Sequence, residues 1–258
     1  MDNRAIGIMD SGIGGLTVAE VLHEKYPQES IIFIGDTARN PYGNRTQKEI
    51  ISFSEEMKTF LLEKQVKMII LACNTITFTV PKRYYEENIP VIGMSLDAPC
   101  PEKARTVAIL ATPATIDSHR HKRRLQAVGG DRNLLEVPLP DLAGAIERGM
   151  DPSELALLAE KEISAYGAIH ADAALLACTH YPLALNVLKK VMPETTFINP
   201  AEVTVDVAMK RLKSCHQLSE VPGKNIFYFT KTTDISKHLV KNMFGDNAHI
   251  ETISLIGE

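Results

Sequence analysis

Two cysteines of this chain stand in the same setting. Ile69-Ile70-Leu71-Ala72-Cys73-Asn74-Thr75 and Leu175-Leu176-Ala177-Cys178-Thr179-His180 each read as an apolar strand, an Ala-Cys step and a polar helix start. One cysteine in such a place is ordinarily buried filling; the same context twice asks for a chemical reason. A thiol at a helix N-terminus is drawn from a pKa of ~8.5 toward neutrality, where its thiolate serves as base or nucleophile. His180, just beyond Cys178, is placed to relay a proton or stabilise that thiolate. Cys100, between Pro99 and Pro101, and Cys215, at the polar end of a helix pattern, lack this context and read as structural. Cys178-Thr179-His180 has no second Cys/His pair at ligand spacing, so no metal is expected, and no CxxC redox motif occurs.

Two further segments carry polar groups at strand ends. Asp10-Ser11-Gly12-Ile13-Gly14-Gly15 resembles a glycine-rich phosphate loop, yet Thr17 stands where a dinucleotide fingerprint needs glycine, and no Gly-Lys-Ser/Thr follows. Either the glycines relieve strain in a tight strand-to-helix turn, or bare N–H groups and the Ser11 hydroxyl hold a carboxylate there. Asp10 is the odd member, because a carboxylate beside an anion site is costly unless it handles a proton. Gly35-Asp36-Thr37-Ala38-Arg39-Asn40-Pro41-Tyr42-Gly43 is either a loop with turn chemistry or a cleft lining that offers the Tyr42 and Gly43 N–H groups.

These segments need a frame. Ala5–Met9, Ser30–Ile34, Val66–Leu71, Val91–Met94, Val107–Leu110 and Ala173–Leu176 are short apolar runs. Each ends in small or polar residues and precedes a helical pattern, as in mostly parallel sheets covered on both faces. In such sheets sites gather at the carboxyl ends of the strands. The Ala-Cys echo suggests two similar doubly wound α/β lobes. Ser95–Pro101, poor in pattern and holding two prolines, is a plausible crossing between them, and Asn199-Pro200-Ala201-Glu202 a second. The division is then 1–94 plus 207–258 for the first lobe and 95–206 for the second.

Composition narrows the class. Of 258 residues, 45% are hydrophobic and 23% charged, which is ordinary globular usage. Lys+Arg total 28 against Asp+Glu 32, a net charge of −4, so no global field favours nucleic acid. No apolar run approaches the ~20 residues of a membrane span, and the N-terminus shows no signal-peptide pattern. A cytoplasmic protein with reduced thiols is expected.

Taken together, Asp10-Ser11-Gly-Ile-Gly-Gly-Leu-Thr, Gly35-Asp-Thr-Ala-Arg-Asn-Pro-Tyr-Gly43, Ala72-Cys-Asn-Thr75 and Ala177-Cys-Thr-His-Tyr-Pro-Leu183 resemble the glutamate racemase family. Members of that family make D-glutamate for the bacterial cell wall without a cofactor. The resemblance runs from Ile6 to about Pro200, in order. His180 also separates the chain from the related aspartate racemases, which usually carry Glu there.

The resemblance implies a substrate cleft between the lobes, where a thiolate and a thiol act as base and acid on opposite faces of Cα. It implies that Cys73 deprotonates the D-isomer with help from Asp10, and Cys178 the L-isomer with help from His180 and Glu147. It places Ser11, Asn74, Thr75 and Thr179 at the amino and α-carboxylate end. Pro41, Tyr42, Gly43, Thr112 and Thr115 fall at the side-chain carboxylate. It further implies glutamate as substrate, a homodimer, and no cofactor; no lysine stands at a strand end with glycine-rich phosphate binding, as a pyridoxal enzyme would need. The chain departs from the pattern at Ile76-Thr77-Phe78, Ser95–Pro99, Ala114, His121 and Leu139. Those changes leave the acid–base residues in place and bear on substrate preference. An aspartate or broad-specificity racemase is the near alternative, and a catalytically silent amino-acid-binding protein the distant one.

Overall fold

A computed structural model describes residues 1–128, 131–246 and 248–255. In chain order the strands are β1 (Ile6–Asp10), β2 (Ile31–Gly35), β3 (Met68–Leu71), β4 (Val91–Gly93), β5 (Thr106–Ala111), β6 (Asn133–Pro138), β7 (Ala173–Leu176), β8 (Thr196–Ile198), β9 (Asn225–Phe229) and β10 (His249–Thr252). The helices are α1 (Leu16–Lys25), α2 (Gln47–Glu63), α3 (Asn74–Thr79), α4 (Pro113–Asp117), α5 (Arg120–Val128), α6 (Leu142–Glu147), α7 (Pro152–Ser164), α8 (Leu185–Val191), α9 (Ala201–Ser214) and α10 (Asp234–Phe244). Local chemistry starts several of them. Thr46 and Glu49 form a reciprocal capping box on α2, Thr233 and Ser236 one on α10, and Asp151 caps α7 ahead of Pro152.

Two parallel sheets result. The first has strand order β10-β9-β2-β1-β3-β4 and the second β6-β5-β7-β8. The run β2-β1-β3-β4 and the whole second sheet share one order, so β3 and β7 are equivalent strands. The Ala-Cys echo is therefore the sequence trace of a repeated topology, with Cys73 and Cys178 each two residues past the end of its strand. The order reverses beside β1 and beside β5, which makes the carboxyl ends of β1 and β3, and of β5 and β7, the crevice-forming positions.

The fold is the two-lobed α/β architecture that the periodicity indicates, and all six apolar runs are strands. Four strands carry weaker signals: β6 includes Glu136, β8 is short, and β9 and β10 lie beyond the repeat. The inner strands β1, β3 and β7 are buried along their whole length, which is why they read as continuous apolar runs.

The chain crosses to the second lobe through 95–105 and returns ahead of α9. Ala201, Val205, Ala208 and Leu212 of α9 are buried in the core of the first lobe with Ile8, Leu16 and Phe33. We therefore place the return at Asn199–Pro200, ahead of position 207. The two crossings lie together, since the Ser95 N–H donates to Thr204 Oγ1 at 2.9 Å.

Candidate active site

The polar strand ends of both lobes converge. From the first lobe come Ser11 after β1, the Asn40–Gly43 segment after β2, and Cys73, Asn74 and Thr75 after β3. From the second come Thr112 after β5 and Ala177, Cys178, Thr179 and His180 after β7, with Ala143 of α6 completing the wall. They enclose a cavity of about 20 Å³, room for about one water molecule.

Each thiol has its own neighbour. Ser11 Oγ lies 3.6 Å from Cys73 Sγ, and His180 Nδ1 lies 3.9 Å from Cys178 Sγ. The far side of the imidazole is fixed by Glu147, whose Oε2 is 2.5 Å from Nε2. Burial alone would lower the pKa of His180, but Cys178 and the Glu147 carboxylate outweigh it and hold the ring well above its ordinary value. A protonated imidazole thus stands beside one thiol and none beside the other.

Cys73 departs from its expectation. It caps the N-terminus of α3, yet burial and the negative charge of Asp10 push its thiol upward, with Cys178 adding to the effect; the Ile76 N–H and Ser11 only soften it. Desolvation of a thiolate in this buried position outweighs what a helix of six residues supplies. Cys178 differs locally too: it is followed not by an α-helix but by a 3-10 turn over Tyr181–Ala184.

The glycine loop serves a purpose that neither reading anticipated. None of its glycines has positive φ, so relief of strain is not the reason for them. A Cβ on Gly12 would stand 2.6 Å from Asn40 Nδ2, and one on Gly14 2.6 Å from both His180 Nδ1 and Thr179 Oγ1. The absent side chains let the lobes close on each other. The bare N–H groups do hold carboxylates, but the chain's own: Ile13 N–H donates to Glu147 Oε2 at 3.0 Å and Gly15 N–H to Asp10 Oδ2 at 2.6 Å.

Asp10 sits behind the cavity rather than in its wall. It is fully buried, and burial raises its pKa from 3.8 to about 6, with His180 and the Gly15 N–H pulling the other way. Its hydroxyl partner is Thr179, from the second lobe, at 3.4 Å. Asp10 thereby reaches both halves of the site, and not Cys73 alone. Glu147 and Thr115 also stand outside the wall. Glu147 bonds the far side of the His180 ring, and Thr115 accepts from Thr112 Oγ1 at 3.2 Å, while Thr112 Oγ1 lies 3.0 Å from Thr75 Oγ1.

The Pro41–Gly43 segment is held from below. Asp36 accepts from the Tyr42 hydroxyl, from Arg39 Nε at 2.6 Å and from Thr230 Oγ1 at 2.8 Å, and Arg39 reaches on to Glu56 at 2.6 Å. Asp36 and Arg39 lie within the Gly35–Gly43 motif but are given no role by the sequence, Thr230 lies outside every motif, and only the tertiary structure reveals their part. Asn40, to which the sequence assigns no site role, also lines the wall and donates to the Ser11 carbonyl at 3.0 Å. The signal was its place in the Asn40-Pro41-Tyr42-Gly43 run. Among the described residues no three His, Cys, Asp or Glu side chains cluster as a metal centre requires, and no helix is long and apolar enough to cross a membrane.

Comparison with known proteins agrees with this architecture. The chain is 34% identical over 253 residues to the glutamate racemase of Lactobacillus helveticus, covering 95% of each. The crystal structure of a glutamate racemase isoform from Bacillus anthracis superposes with a TM-score of 0.87 at 28% identity, over 99% of both chains. That of Francisella tularensis glutamate racemase in complex with D-glutamate gives 0.86 at 30% identity, over 100% of both. Residues 6–208 match the Asp/Glu/Hydantoin racemase family. With full-length relatives and the same two-lobed fold, the chain belongs to that racemase family.

Proposed function

We propose that this amino-acid racemase interconverts L- and D-glutamate by proton transfer at Cα, with Cys178 and Cys73 as the two bases and no cofactor. The observation that carries the reading is the pair of thiols on equivalent strands of opposite lobes, lining one cavity. A planar carbanionic centre between them loses its proton on one face and gains it on the other.

The two sides are unequal at rest. Cys73 is held as a thiol, so it is set to donate, whereas Cys178 has the imidazole of His180 beside it. In the L-to-D direction Cys178 removes the Cα proton and Cys73 supplies the new one. In the reverse direction Cys73 must first be a thiolate, and Asp10, its pKa raised to about 6, is the carboxylate that accepts the thiol's proton and becomes neutral as the thiolate forms. The barrier lies chiefly in forming the carbanion, and the hydrogen-bond donors of Ser11, Asn74, Thr75 and Thr179 around a water-poor cavity are suited to stabilise it. Pro41, Tyr42 and Gly43, with Thr112 and, behind it, Thr115, take the side-chain carboxylate.

Glutamate exceeds a cavity of about 20 Å³, so the lobes must part for binding. They must then close again for chemistry, breaking and remaking contacts such as Ile13 to Glu147. On this reading the protein works in the cytoplasm, as a homodimer, and supplies D-glutamate to peptidoglycan synthesis. The test is exchange at Cα in deuterium oxide with each pure enantiomer. Solvent deuterium should appear in the enantiomer formed, from either direction; glutamate recovered unchanged, with aspartate racemised instead, would overturn the substrate assignment.

A further inference from the structure

Asn74 and His121 meet across the two lobes. Asn74 opens α3 and lines the catalytic cavity, while His121 lies on α5 of the second lobe, just outside it. Asn74 Oδ1 and His121 Nε2 are 3.1 Å apart, and the residues are 2% and 3% exposed. The ring is also held edge-on by Phe78, with centroids 5.1 Å apart and planes at 85°. Two polar atoms of the pair have no protein partner, Asn74 Nδ2 and His121 Nδ1.

Burial pushes the imidazole down to about 4. At neutral pH it therefore carries one proton, and two arrangements compete. If the proton is on Nδ1, Asn74 must donate to Nε2, and an N–H is left buried without an acceptor. If it is on Nε2, that N–H donates to Asn74 Oδ1 and the orphan ring atom is a bare acceptor. The first strands a ring N–H outside the cavity, where nothing accepts it, whereas the second leaves its unpaired donors on Asn74, which lines the cavity and can offer them to a ligand, so the second arrangement is favoured. It turns both hydrogens of the Asn74 amide toward the cavity, where two adjacent donors with no protein acceptor match a carboxylate and repel an ammonium group.

Building on the racemase reading above, we propose that His121 is a positioning residue: its Nε2–H locks the Asn74 side chain so that both amide hydrogens face the substrate's α-carboxylate. Neither residue needs to touch the reacting proton. The link also ties α5 of one lobe to the active-site turn of the other, so the donor pair is aimed only when the lobes are together.

Two measurements test it. The first is the nitrogen-15 spectrum of the histidine rings in the whole protein, with the His121 signal assigned by its loss in His121→Gln. A neutral ring protonated on Nε2 is expected; a ring protonated on Nδ1, or on both nitrogens at neutral pH, overturns the proposal whether or not glutamate is turned over. The second is steady-state kinetics with both enantiomers. His121→Phe keeps a ring against Phe78 but loses the donor, and should raise KM roughly tenfold, with a smaller loss in kcat. His121→Gln retains a donor near the Nε2 position and should return KM to within about twofold of the parent. In an Asn74→Ala background, His121→Phe should add no further rise, because the group it orients is gone. A KM unmoved in His121→Phe, or the full rise persisting without Asn74, overturns the proposal. A parent enzyme inert toward glutamate would instead sink the racemase reading and leave the ring spectrum to decide the His121 geometry.

Discussion

Asp10→Asn should make the protein more stable at neutral pH while slowing catalysis. The carboxyl is fully buried and its pKa is raised from 3.8 to about 6, chiefly by that burial. A rise of about two pH units, at about 1.4 kcal/mol each, makes ionised Asp10 about 3 kcal/mol less favourable in the folded chain than in the unfolded one. Below about pH 4 the group is protonated in both states and imposes no penalty. Between about 4 and 6 the unfolded chain gives up its proton first, so stability falls as pH rises; above that window the whole penalty stands. Asparagine removes the titration yet keeps an oxygen for the Gly15 N–H. The exchange of a charged for a neutral acceptor gives back about 1 kcal/mol, which leaves a net gain of about 2 kcal/mol. Urea unfolding of both proteins from pH 4 to pH 8, compared at a common slope, measures the difference directly. It should grow across the window and level off above it. A variant less stable than the parent at pH 7.5, or a difference that ignores pH, would refute the claim that this carboxylate is held in the site at the expense of stability.

The remaining predictions concern the thiols, the two directions, the cofactor and the frame. Cys73→Ala and Cys178→Ala should each abolish formation of the opposite enantiomer, whereas Cys100→Ala and Cys215→Ala should leave it nearly intact; racemisation by either of the first two would end the two-base reading. Asp10→Asn should reduce kcat more from D to L, and His180→Asn more from L to D, with KM moving in compensation because the equilibrium between enantiomers stays near one. Equal losses in both directions would show that these groups serve the site as a whole. Activity should survive dialysis against a chelator and need no pyridoxal phosphate; its loss and recovery with zinc would reverse that. Lys67→Met should cost about 3–5 kcal/mol in unfolding free energy with KM unchanged. It leaves Glu29, now 2.6 Å from the Lys67 ammonium and as fully buried, without its partner at the end of the sheet remote from the site.

Much of this protein is legible in the residues alone. Continuous apolar runs such as Ile6–Met9 and Met68–Leu71, recurring between helical patterns, read as strands covered on both faces, and the end of each run marks a place where polar side chains can face a crevice. Cys73 and Cys178 announce themselves because a repeated topology repeats its local context, so the pairing of the thiols is written twice in the chain. What stays hidden depends on groups brought together from distant segments. The burial that raises Cys73 against its helix end, and Asp10 toward neutrality, is a property of the closed pocket and not of either neighbourhood in sequence. The glycines of the first loop look like a phosphate cradle or a tight turn until Asn40, Glu147, Thr179 and His180 are seen packed where their side chains would be. His121 is a histidine in a basic helix until folding sets it 3.1 Å from Asn74. Local sequence determines which elements form and which residues end them, because those choices rest on periodicity and capping within a few residues. Only the tertiary structure decides charge states and partners, because desolvation and hydrogen bonding depend on everything that surrounds an atom, whatever its place in the chain.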